Sequence, residues 1–118
     1  FLYLLAVSFM FTHEMDAIRR HEWRVFPLAD RLPDETGFLV FVLLHVPGFA
    51  LVMWLSIPLD ANVATPFQIA FSIFCIVHVG LHKLLERRLA FEFNNPLSQL
   101  LIWGSGVFGL GHLISAFG

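Results

Sequence analysis

Thr12-His13-Glu14-Met15-Asp16-Ala17-Ile18-Arg19-Arg20-His21-Glu22-Trp23 closes the first long apolar run of the chain. It sets two histidines, three acids and two arginines where a membrane-crossing helix would be finishing. Ionisable groups inside a lipid-facing segment are costly, so they turn to a bundle interior and mark a site. This stretch therefore gives the end of one helix and the place to look for chemistry.

Composition agrees with a membrane setting. The chain has 118 residues, 58% hydrophobic and only 14% charged, with 14 Phe and 3 Trp. Its mean hydropathy is +0.77. A soluble domain carries about 25% charged residues. The single cysteine, Cys75, excludes an internal disulfide framework and a cysteine-based zinc cluster, and reads as a small buried side chain. A net charge of −2 argues against a nucleic-acid partner, which would require a basic face.

Four apolar segments follow in order: 1–20, 37–57, 66–85 and 96–117. Each is near the ~20 residues that cross ~30 Å of hydrocarbon as a helix. None shows the period-two alternation of a barrel strand. The expected fold is all-α: a four-helix transmembrane bundle forming one integral membrane domain over 1–118. The first run is expected to stay as a span and not to be a cleaved signal, because it lacks a basic leading region and ends in charges. Pro66 and Pro96 suit a first helical turn. Pro58-Leu59-Asp60 and Asn94-Asn95-Pro96 read as turns.

The connections set an orientation. Arg19, Arg20, Arg24 and Arg31 lie in or beside the first, and Lys83, Arg87 and Arg88 at the third; these are all the Lys and Arg residues. The second connection has none. By the positive-inside rule the first and third face the cytoplasm, and both termini lie on the other side.

Depth in the membrane brings separated residues together. With about 1.5 Å of rise per residue, His13 lies ~10 Å from the cytoplasmic edge, Asp16 ~6 Å, His45 ~12 Å, His78 ~14 Å and His82 ~8 Å. These groups come from three helices and share one layer. His78 and His82 are four apart, hence on one helical face, with Glu86 continuing the strip. Neutral imidazoles with a carboxylate suit zinc or iron. The expected metal ligands of a divalent ion are His13, Asp16, His78 and His82. Glu14 and His45 are the expected catalytic groups, moving protons. An open position on the ion would activate water for hydrolysis, or serve an oxidase, on a lipid-soluble substrate. His112 is deeper and separate.

The competing reading is non-enzymatic: a membrane subunit or transport component in which the layer is a proton relay or an interhelical hydrogen-bond seam. A haem on His45 and His78 or His82 has no attachment motif to support it. Glu22-Trp23-Arg24 reads as a membrane interface with Trp23 as its anchor. The fourth segment is rich in small residues, Gly104, Ser105, Gly106, Gly109, Gly111 and Ser115, and Ser105 to Gly109 and Gly111 to Ser115 are small-xxx-small spacings. These let helices approach closely, either inside this bundle or against a second copy or a partner membrane subunit.

His13-Glu14-Met15-Asp16 followed by His45-Val46-Pro47-Gly48 resembles a group of small bacterial membrane proteins of unknown function. That group carries an H-x-x-E-E motif and a later Y-x-P-G motif. Asp16 and Ala17 stand where it has two glutamates, and His45 replaces its tyrosine. The resemblance touches the first two helices. It implies a multi-pass protein of the bacterial inner membrane with an acid and histidine site.

Overall fold

The structure, a computed structural model, describes residues 1–27, 31–57 and 61–118, and for 61–64 the backbone only. Four α-helices run in order: α1 (Leu2–Arg19), α2 (Asp34–Ser56), α3 (Ala61–Leu85) and α4 (Pro96–Phe117). A short 3₁₀ turn, Glu22–Arg24, follows α1. No strand occurs among the described residues. The molecule measures 43 × 27 × 20 Å. Its long axis equals the ~40–45 Å of a bilayer with its headgroups.

Three helices, α2, α3 (over Thr65–Leu85) and α4, are long and apolar enough to cross a membrane. The fourth, α1, is 18 residues long and carries Glu14, Asp16 and Arg19 in its second half. Its buried side chains are Tyr3, Ala6, Met10, His13, Asp16 and Ala17. Steps of three and four give one stripe, which faces α3 and α4.

Two helix boundaries differ from the sequence expectation. Helix α2 starts at Asp34, three residues before the apolar run, behind Pro33. Helix α3 starts at Ala61, so Pro66 lies inside it and not in its first turn. Polar residues that extend a helix outward are invisible to a hydropathy argument. Pro47 also lies inside its helix, which continues to Ser56. The turn expected at Pro58-Leu59-Asp60, and Asp30 in the first connection, lie outside the described residues.

The packed unit is α1, α3 and α4, and the glycines of α4 make it possible. A Cβ on Gly109 would stand 2.9 Å from the Ser72 carbonyl oxygen and 3.2 Å from the Cys75 Cβ. One on Gly106 would press on Val79 at 2.6 Å, and one on Gly104 on the Phe9 ring. The small residues of α4 are thus in contact with α3 on one side and α1 on the other. Two apolar clusters result. Tyr3, Ala6, Met10, Phe71 and Cys75 fill one. Ala17, Val25, Val79, Phe91, Phe93 and Ile102 fill the other, at the charged end of α1.

Helix α2 is different. Only Gly37 is buried, and apolar side chains are exposed all round it. Such a helix needs an apolar solvent. It is held to the rest by a few specific contacts, among them the Glu14–His45 bond near its middle. The Tyr3 hydroxyl meets the Ser56 hydroxyl. The rings of Phe11 and Phe49 stack 4.2 Å apart. At the other end Asp34 accepts from Trp23 Nε1 at 3.0 Å and from Arg24 through two bonds of 2.6 Å.

Gly109→Leu is expected to destabilise the protein by roughly 1–3 kcal/mol through overpacking against the α3 backbone. Gly48→Ala, where a Cβ meets nothing within 4 Å, should be neutral or slightly stabilising. Thermal unfolding of both variants in detergent checks this pair; equal midpoints would refute the close α3–α4 approach.

Candidate metal centre

Four side chains converge at the charged end of α1. His13, Glu22, His78 and His82 each offer one ligand atom, and these atoms lie within 4.8 Å of one another. All four residues are buried. The imidazole centroids are 4.8 Å apart for His13 and His78, 4.9 Å for His13 and His82, and 4.5 Å for His78 and His82. Glu22 lies across from them, with His82 Nε2 at 3.4 Å and His13 Nε2 at 3.8 Å from its oxygens. This group could hold a metal ion.

The arrangement follows from local rules. His13 lies on the inward stripe of α1. His78 and His82 share one face of α3 because they are a turn apart. Glu22 arrives by a reversal of the chain. After α1, His21 adopts a left-handed conformation at φ 52°, which His reaches more readily than most residues. The next three residues wind as a 3₁₀ turn, with Arg24 N–H donating to His21 and Val25 N–H to Glu22. This swings Glu22 under the bundle and buries Trp23 and Val25 with it.

The loop between α3 and α4 closes the site. In Phe91-Glu92-Phe93 the two phenylalanines are buried and Glu92 is exposed, the alternation of an extended chain. The Phe93 ring lies 4.8 Å from His82 and 5.5 Å from His13. Gln99 fixes the loop by donating to the Phe93 carbonyl at 3.0 Å.

Asp16 stands apart from this group. Its carboxylate accepts from the Ser98 hydroxyl and from Arg20 Nε at 3.4 Å. Ser98 is also bonded to Asn95, whose side chain caps α4 by accepting from the Ser98 N–H at 3.0 Å. A carboxylate at the start of α4 suits the positive end of that helix. Asp16 therefore ties α1 to α4, while the acid beside the histidines is Glu22. Glu86 points outward and pairs with Lys83.

Glu14 and His45 are brought together. His45 Nε2 lies 2.8 Å from Glu14 Oε2, and His45 Nδ1 lies 2.6 Å from the Phe41 carbonyl oxygen. A carbonyl only accepts, so Nδ1 carries a proton. The bond to Glu14 then needs a second proton, on Nε2 or on the carboxyl. The pair thus holds a proton between two helices. Glu14 is close enough to interact electrostatically with Glu22 and His82. His21 lies outside the site, 3.4 Å from Glu92. His112 pairs with Ser72 at 2.8 Å, toward the opposite end of the bundle.

Glu22 is the residue that sequence reasoning did not place here. Its position depends on the reversal at His21, which no periodicity announces. A family model matches residues 1–118, the whole chain. The chain belongs to DUF6713, a family of unknown function. No curated protein and no solved structure matches it. The family covers all four helices, whereas the resemblance to the H-x-x-E-E group touches the first two.

Carbethoxylation by diethylpyrocarbonate, read residue by residue by mass spectrometry, should follow exposure. His21, whose side chain is 38% exposed, should react first, His45 at 22% next, and His13 at 0% last. Labelling of His13 as fast as His21 would contradict the enclosed site.

Proposed function

We propose that this is a small multi-pass membrane metalloprotein that holds one divalent ion, zinc or iron, between His13, Glu22, His78 and His82. One observation carries the reading. The buried side-chain atoms without a hydrogen-bond partner, among the described residues, are His13 Nδ1 and Nε2, Glu22 Oε2, His78 Nδ1 and His82 Nδ1. All belong to these four residues. Folded proteins leave few such atoms unpaired, and each costs about 1–3 kcal/mol. A hydrogen-bond seam would pair them. An ion would take one donor atom from each of the four residues.

The spacing supports it. Four donors at ~2.1 Å around a tetrahedral ion stand about 3.4 Å from one another. The separations of 3.4 and 3.8 Å to Glu22 need little adjustment. Imidazole with carboxylate is a donor set for zinc or iron, and no thiolate competes.

The activity we assign is metal-dependent hydrolysis or oxidation of a lipid-soluble substrate. The ion would supply Lewis acidity or, as iron, redox capacity. Phe91 and Phe93 exclude water from one side of the site. Glu14 and His45 hold the proton that the reaction would move. Taking α1 as the fourth span, the positive-inside rule puts the site in the cytoplasmic half and both termini outside.

A closed structural ion is the second reading, favoured by the number of protein donors, because structural zinc sites are filled by four of them. Cobalt(II) substitution separates the two. Azide should change the visible spectrum of the cobalt protein if a position is open, and leave it unchanged if the ion is structural.

Metal analysis of the detergent-purified protein should give one equivalent per chain. His13→Ala, Glu22→Ala and His78→Ala should reduce it to background, while Asp16→Asn should keep it and lower thermal stability. Affinity should fall as pH is lowered, because protons compete with the ion for imidazole and carboxylate. A metal-free wild type, even after reconstitution, would sink the proposal.

A further inference from the structure

A cleft runs between α2 on one side and α1 and α3 on the other. It holds about 210 Å³, and its lining, otherwise apolar, includes Glu14, His45, Gly48, Phe49, Phe71 and Phe74. Glu14 and His45 are its polar members. We infer that this cleft binds a single-chain neutral lipid, a long-chain alcohol, with its hydroxyl on the Glu14–His45 pair. Its role as the substrate groove rests on the metal reading above, and its binding of the lipid does not.

The size decides the first part. Pockets for compact drug-sized ligands measure about 300–1,000 Å³. A cleft of 210 Å³ with ring-lined walls suits one extended chain and not a fused ring system.

The gap is built into the fold. Glycine on a membrane helix usually lets a neighbour approach closely. Gly48 does the reverse, since a Cβ there meets nothing within 4 Å. The contacts on either side of it are the Phe11–Phe49 stack and the Glu14–His45 bond, with the Tyr3–Ser56 bond further along. They fix α2 at a distance from α1 and α3 without closing the space.

The polar groups choose the head. The lining has no Lys or Arg, so a carboxylate or phosphate would face Glu14 without a counter-charge. A cationic head would compete with the proton that His45 and Glu14 share. Glu14 Oε2 is taken by His45, and its other oxygen accepts no hydrogen bond from a described residue. A hydroxyl can donate to that oxygen and leave the pair intact. The head then lies near the histidine cluster, because the Phe74 ring of the lining lies 5.8 Å from His78.

The test uses the purified full chain in nanodiscs with a hexadecanol bearing a mid-chain diazirine. After irradiation, the label should concentrate on Phe49, Phe71 and Phe74. Gly48→Phe should fill the cleft and lower labelling by about tenfold, the affinity that roughly two buried methylenes contribute. Leu100→Phe, on the exposed face of α4, should label like wild type. Unlabelled hexadecanol should compete and hexadecanoate should not. Equal labelling of wild type and Gly48→Phe, or label spread evenly over exposed helix faces, would reduce the cleft to ordinary lipid contact and overturn the inference. Competition by hexadecanoate would overturn the neutral head. Metal content, measured on the same samples, keeps the two ideas apart. Gly48→Phe should retain the ion while losing the lipid. A metal-free wild type that still labels selectively would leave the lipid site standing without the metal centre.

Discussion

The structure depends on four ionisable side chains placed together in an apolar core, facing chiefly one another. His13, Glu22, His78 and His82 could each have been satisfied by a carbonyl or a hydroxyl, yet His13 Nδ1 and Nε2, Glu22 Oε2, His78 Nδ1 and His82 Nδ1 have no hydrogen-bond partner. In a low-dielectric interior such an arrangement is unfavourable unless something pairs with it. The proposed ion would take one atom of each residue.

The surrounding elements fit that constraint. The left-handed turn at His21 brings an acid under the helix ends instead of letting α1 run on into water. The buried Phe91 and Phe93 keep water from one side of the imidazoles, and Gln99 fixes the loop that carries them. Asp16 serves through Ser98 and the capped start of α4, holding α1 in register with α4. A one-turn slip of α1 would move His13 by about 5.4 Å and take it out of reach of both other histidines.

Much of this was legible in the sequence, for reasons that also define what was not. Four helices follow from four apolar runs of bilayer length, a strong signal that depends on composition alone. That His13, His78 and His82 meet follows from depth, since helices in a membrane share a common frame and rise at one rate. Depth also put Asp16 with them, and this was too coarse. Asp16 and His13 are three residues apart on one helix, and which of them faces α3 depends on rotation about the helix axis, which depth does not report. Glu22 was read as an interfacial residue because Trp23 beside it has that character. Its burial comes from a chain reversal set by tertiary packing. The early starts of α2 and α3 lie in polar residues, which hydropathy does not extend to.

The division of labour among the helices follows from their composition. Helix α4 gives up side-chain volume at Gly104, Gly106 and Gly109, which allows α1 and α3 to come close and bring their histidines together. Helix α2 has kept its large apolar side chains and turns them outward. It touches the others through a few specific contacts, and between these a gap remains. A bundle packed tightly on all four sides would enclose the same cluster and leave no cleft beside α2. A bundle open on the α4 side would lose the packing that assembles the cluster. Tight packing on α4 and a loose fit on α2 together allow one small chain both to form a buried polar cluster and to keep an open cleft beside α2.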